Sequence, residues 1–112
     1  MNDPVVNEVL VVTTTVDTME NALQLAREVV ARRLAACVQI DPIAASVYRW
    51  DGKVREDPEL RLTMKTLAAM QGALGSFIEG HHPYELPQLT WTTMGCTPGY
   101  GAWVRSEVTI AA

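Results

Sequence analysis

The sequence predicts a single α+β domain with elements in the order β, α, β, β, α, β, and three observations carry that prediction. A β-branched apolar run covers Glu8 to Thr15 (EVLVVTTT). Apolar residues then recur with helical period in two later stretches, and an Asp51-Gly52 pair sits between two stretches of strand character. Length and composition agree: 112 residues, 48% hydrophobic and 20% charged, suit one globular domain spanning 1–112. A chain this short hides only about two-thirds of the surface its unfolded form exposes. Burial between subunits would add to that, so self-association is expected before any motif is considered.

The first strand, Glu8 to Thr15, is β-branched and apolar on both faces, which suits a central strand covered from at least one side. Asp17 and Glu20 then stand three apart as a capping box, in which each side chain satisfies an unpaired amide at a helix start. The helix runs to about Leu34, because Ala22, Leu25, Ala26, Val29, Val30 and Leu34 form one stripe. Ala36 to Trp50 reads as a long strand broken near Pro42, which has no amide to give to a ladder. Asp51-Gly52 favours a two-residue hairpin turn, since both positions tolerate positive φ. Continued without interruption, that register sets Pro58 against Ala45 and Arg61 against Pro42, and the two prolines favour a bulge there.

Glu59 to Thr66 alternates polar and apolar residues, the period of a half-buried strand. Leu67, Met70, Leu74, Phe77 and Ile78 return to helical spacing, weakened by Gly72, Gly75 and Gly80 at about 1 kcal/mol each relative to alanine. Pro83 ends this helix by disfavouring helical geometry at His82. Leu86 to Met94 is expected as the last strand, and Pro98 to Val108 as a loose turn or short helix that packs Tyr100 and Trp103 on the body. This order matches a ferredoxin-like split βαβ arrangement, an antiparallel sheet with both helices on one face. The other face must find cover.

Charge and motif content narrow the function. A net charge of −4 with scattered Lys and Arg offers no field for a phosphate backbone, so nucleic acid is not an expected partner. No apolar run approaches the roughly 18 residues that span a bilayer, and the first residues lack a cationic, apolar leader pattern, so a cytoplasmic protein without membrane contact is expected. Cys37 and Cys96 show no CxxC spacing and read as free thiols, Cys37 as a small buried hydrophobe and Cys96 as an exposed residue in a turn. A Gly-rich phosphate loop, a GxSxG elbow and an HExxH pair are all absent, which argues against an enzyme.

Several segments resemble the CutA family of divalent-cation-tolerance proteins. They are Leu34-Ala35-Ala36-Cys37-Val38, Ser46-Val47-Tyr48-Arg49-Trp50-Asp51-Gly52-Lys53, Lys65-Thr66, and His82-Pro83-Tyr84-Glu85 ahead of Pro87, with Tyr100 and Trp103 beyond. The resemblance covers nearly the whole chain. It implies a tight homotrimer similar to nitrogen-regulatory PII proteins, with strand edges of neighbouring subunits joined, and a role in the response to copper and other divalent metals. In some members a proposed copper site uses a cysteine at the end of the first strand and another ahead of the histidines; Thr13 and Phe77 stand at the matching positions here.

Two constellations follow. A copper or other divalent metal would draw on His82 with Cys37 or with a carboxylate such as Glu85 or Glu59, since ligands must converge to about 2 Å and thiolate favours Cu(I). A small anionic or metal-bound ligand would instead occupy an intersubunit cleft that the resemblance assembles from Tyr48, Trp50, Glu59, Lys65, His82 and Tyr84. The first reading of function is therefore a metal-responsive or ligand-binding trimer. The second is a structural or adaptor trimer that presents a surface to a partner protein without binding metal.

Overall fold

The computed structural model describes residues 7–108. Strand β1 (Glu8–Val16) is followed by helix α1 (Met19–Ala31), the hairpin strands β2 (Cys37–Trp50) and β3 (Lys53–Thr66), helix α2 (Gln71–His81), strand β4 (Thr90–Gly95) and helix α3 (Pro98–Glu107). A short 3-10 turn, Ala68–Met70, leads into α2. The four strands form one antiparallel sheet in the order β2-β3-β1-β4, the split βαβ topology expected from the sequence. Central β1 explains its own composition: Leu10, Val12 and Val16 face α1 and α2, whereas Val9 and Val11 face the opposite side.

The larger core joins β1 and β3 to both helices through Leu62, Met64, Leu74, Ile78 and Val29, all fully buried. Each such side chain contributes about 1.5–3 kcal/mol relative to leaving it in water. On the other face, α3 lays Val104 across Val9 and Val11. Of the loose turn or short helix expected here, the structure has the helix, begun by Pro98 and by Thr97 Oγ1 accepting from the Tyr100 amide at 3.4 Å. Its inward residues are Gly101 and Val104, while Tyr100 and Trp103 remain exposed, because only every third or fourth residue of so short a helix can meet the sheet.

Other boundaries also moved. Thr18, not Asp17, is the N-cap of α1, its hydroxyl accepting from the Asn21 amide at 3.1 Å. Asp17 accepts from Asn21 Nδ2 instead, at 2.8 Å. The helix stops at Ala31, three residues short of Leu34, because Arg33 turns left-handed at φ 59°. Arg33 N–H donates to Val30 O and Leu34 N–H to Val29 O, both at 3.0 Å, which closes the end in a Schellman motif. The Arg33 guanidinium donates to Ser106 O and Glu107 O at 2.7 and 3.0 Å, tying the end of α3 to the end of α1.

The hairpin turn is the expected one, with Asp51 at φ 52° and Gly52 at φ 74°. Trp50 pairs with Lys53 and Ser46 with Asp57, but beyond the bulge Ile43 pairs with Glu59 and Asp41 with Arg61. Two residues, Ala44 and Ala45, thus oppose Pro58 alone, and Arg61 meets Asp41 rather than Pro42. The last strand begins at Thr90, not Leu86; residues 83–89, which include Pro83 and Pro87, cross the end of the sheet as irregular chain.

Candidate functional site

The irregular segment after α2 stands opposite the inner part of the hairpin, and a cavity of about 650 Å³ opens between them. Its aromatic walls are Tyr48, Trp50 and Tyr84, and its charged groups are Arg55, Glu59 and Glu85. Register explains the hairpin side. Tyr48 is directly paired with Arg55, so both project from one face of the ribbon. The volume falls within the roughly 300–1,000 Å³ typical of small-molecule sites.

Two tyrosine–carboxylate pairs frame the space. Tyr84 donates its hydroxyl to Glu59 Oε2 at 2.9 Å, and Tyr48 donates to Asp57 Oδ2 at 2.6 Å. Burial, and then the Glu59 bond, push the Tyr84 phenol well above its ordinary value. The bond to Asp57 is the main cause of the rise at Tyr48. Both phenols are thus held protonated and oriented as donors. Arg55 and Glu85 have no side-chain hydrogen bond or ion pair among the described residues, which leaves one cation and one anion of the cavity available.

His82 sets the position of the segment from behind. Its Nδ1 accepts from the Tyr84 amide at 3.0 Å, so that nitrogen carries a lone pair. Nε2 lies 2.9 Å from Thr15 O and 3.0 Å from Thr14 Oγ1, whose own hydrogen goes to Gln88 O at 2.6 Å. The network therefore assigns the Nε2–H tautomer of a neutral ring. Burial lowers the pKa of His82, against an opposing push from the Thr15 bond and from the Asp17 and Glu59 charges.

The sequence-derived candidates divide accordingly. Tyr48, Trp50, Glu59, Tyr84 and Glu85 line the cavity. Lys65 does not; it donates to Gln39 Oε1 at 3.0 Å and lies six residues, about 20 Å, along β3 from Glu59. His82 anchors the wall rather than lining it. Arg55 is the charged lining residue that the sequence reading missed, beside the uncharged Thr15, Ser46, Val47, Leu86 and Gln88. Extending the alternation of Glu59, Arg61, Thr63 and Lys65 backwards through Asp57 would have found it on the same face.

The metal ligands that the sequence resemblance implies are not assembled by this arrangement. Both nitrogens of His82 are engaged, so neither is free to ligate without breaking an internal bond. Cys37 is paired with Lys65 on the α3 face, two strands across from the Thr14 that His82 touches on the helix face. The fold does not bring Cys37 to His82 and Glu85. Among the described residues no three of His, Cys, Asp and Glu gather at one point. Both cysteines are free and half-buried; Cys96 packs on the cluster of Val9, Val11 and Val104 rather than standing exposed, and Cys37 is less covered than a core residue.

An α+β split-βαβ domain with a projecting hairpin and an aromatic, charge-bearing cavity at its base is the class of protein these observations define. The profile described as "CutA1 divalent ion tolerance protein" matches residues 10–107, and the chain belongs to that family. It is 38% identical over 103 residues to the divalent-cation tolerance protein CutA of Citrobacter koseri, covering 90% of this chain and 89% of that one. Identity to Protein CutA of Homo sapiens is 41% over 86 residues, 75% of this chain but only 48% of the human protein, so the chain spans about half the length of that relative. Among solved structures, CutA1 from Oryza sativa superposes with a TM-score of 0.88 at 32% identity, covering 95% of this chain and 98% of that one. The divalent cation tolerance protein of Thermus thermophilus gives 0.85 at 37%, covering 91% and 99%. Among the described residues no helix is long and apolar enough to cross a membrane.

Proposed function

We propose that this chain acts in tolerance to divalent cations as a homotrimer whose cavity, at the base of the hairpin, takes a small anionic or metal-chelated ligand. One observation carries the reading: Arg55 stands uncommitted in an aromatic-walled cavity whose two phenols are already bonded to carboxylates. A guanidinium with free donors in such a place suits bidentate recognition of a carboxylate or phosphate. Glu59 is shielded by Tyr84, so repulsion of an anionic group near Arg55 is reduced. A chelate would meet Glu85 at its metal and Arg55 at its acid.

Trimerisation would place a neighbouring subunit against the hairpin and close the cavity. Native mass spectrometry with and without Cu(II), Cu(I) and Zn(II), and with citrate as a chelating acid, tests both parts at once. The expected result is a trimer that retains citrate or its zinc complex, with retention lost in Arg55→Gln. A monomer, or a trimer whose retention ignores Arg55, would overturn the reading.

A second reading rests on α3. Tyr100 and Trp103 lie with ring centroids 5.7 Å apart on the exposed side of that helix. Such a pair suits contact with a partner protein. The adaptor reading expects Trp103→Ala to abolish that contact while the trimer and its ligand persist.

A further inference from the structure

The cavity at the base of the hairpin is long rather than round. Thr15, at one end of its lining, is paired with Arg61, and Trp50, at the other, with Lys53. Those two partners stand eight residues apart on β3, about 26 Å of strand. Tyr48 and Trp50 are two apart on β2, so they share one face and give the cavity an aromatic floor on the hairpin side. A ligand that used this length would be an extended chain.

The charges of the lining are spread in the same way. Arg55 lies four residues, about 13 Å, along β3 from Glu59, and Glu59 holds the hydroxyl of Tyr84, the neighbour of Glu85. Arg55 belongs to the hairpin wall and Glu85 to the segment after α2, and both are uncommitted among the described residues. The lining sets one cation against two carboxylates, so a ligand with an acid alone would leave Glu85 facing it unpaired.

A positive centre on the ligand answers Glu85. A metal ion would need more ligands than this one side chain, and among the described residues no three of His, Cys, Asp and Glu gather at one point. An ammonium needs only the one carboxylate, with neutral oxygens for its other donors. Ser46 and Gln88 also line the cavity, and Gln88 spends only its backbone carbonyl, on Thr14. A free hydroxyl and a free side-chain amide can pair with the N–H and C=O of a peptide link.

We infer that the cavity takes a short linear peptide of about three residues, which extended span about 10 Å. Its terminal carboxylate meets Arg55, its terminal ammonium meets Glu85, and an aromatic or aliphatic side chain lies against Tyr48 and Trp50. This occupant rests on the acid-binding cavity proposed above; the second charge and the peptide link are what it adds. A single free amino acid, whose two charges flank one carbon, is too short to meet both residues.

The test is calorimetric titration of the protein with glycyl-phenylalanyl-glycine, its N-acetylated form and its C-amidated form, with citrate as a control for the acid-binding end alone. The free tripeptide is expected to bind once per chain, and each blocked form about tenfold or more weakly. In Glu85→Gln acetylation should cease to matter, and in Arg55→Gln amidation should cease to matter, which matches each end to one residue. Blocking alters only the ligand, so the unsubstituted protein decides if a variant fails to fold. Citrate bound through Arg55 without any binding of the tripeptide would overturn the peptide and leave the acid site standing, whereas binding of neither would overturn both. Tripeptide binding indifferent to both end groups, or free phenylalanine bound as tightly, would also overturn the inference.

Discussion

His82 commits both ring nitrogens to partners inside the fold, and that fixes its charge as well as its position. A second proton would place Nδ1–H against the Tyr84 amide, two donors facing one another. Burial already holds the ring's pKa below the ordinary 6.5. The unfolded chain therefore binds this proton at higher pH than the folded one, and stability is fully present above about pH 6.5 and declines as pH falls below it. In chelator-treated protein the urea midpoint should drop from about pH 6.5 to 5, and His82→Gln should remove that part of the dependence, identified by subtraction. An identical profile in the variant would mean that carboxylates alone set the response. Thr14 tests the same network from its other end. Thr14→Val keeps the shape but deletes the donor to Gln88 O, and should destabilise by about 1–3 kcal/mol in denaturant melts. A neutral effect would mean that water enters to replace the hydroxyl. Sequence alone placed His82 beside Tyr84 and Glu85, but not its roles: what each nitrogen bonds depends on Thr14 and Thr15, nearly seventy residues away.

At the scale of elements, the sequence was most legible where one local force decides the outcome. The Asp51-Gly52 turn and the apolar face of α1 are of that kind. It was least legible where neighbours compete. Asp17 and Thr18 are both good caps, and Thr18 wins because its backbone is extended at φ −132° with its hydroxyl on the Asn21 amide. The end of α1 was misplaced for a different reason: Arg33 takes a conformation usual for glycine, held by two bonds to the end of α3 that no local pattern encodes. The last strand starts late because residues 83–89 follow His82 around the cavity before they can join β1. Glycines in α2 give the element-scale prediction. A Cβ at Gly75 would meet only Leu89 Cδ2, at 3.6 Å, an ordinary contact. Gly75→Ala should therefore stabilise by about 0.4–1 kcal/mol, through lost freedom of the unfolded chain, with the denaturant slope unchanged. A loss of stability in that measurement would show that Leu89 has no room to adjust.

The whole molecule is longer than its chain length requires. Its extents are 57 × 26 × 21 Å and its radius of gyration is 15.5 Å, against about 13 Å for a compact chain of this size. The outer hairpin accounts for the excess, and it carries Val47 and Val54 at 64% and 62% exposure, with Trp50 and Tyr48 beside them. A two-stranded ribbon standing alone in water is marginally stable, so apolar side chains on one that projects this far need cover. The cover we propose is further copies of this chain, three in all, which would also wall the cavity at the base of the hairpin. If so, folding and assembly are linked by mass action, and the melting temperature should rise with protein concentration. Trp50→Ala should weaken the assembly at a fixed concentration and shift sedimentation towards the monomer, while Trp103→Ala on α3 should leave it intact. A melting temperature independent of concentration over a hundredfold range, together with an unaltered oligomer in Trp50→Ala, would mean that the hairpin is stable on its own. The cavity would then have to function within a single subunit, and the affinity of citrate would be indifferent to dilution.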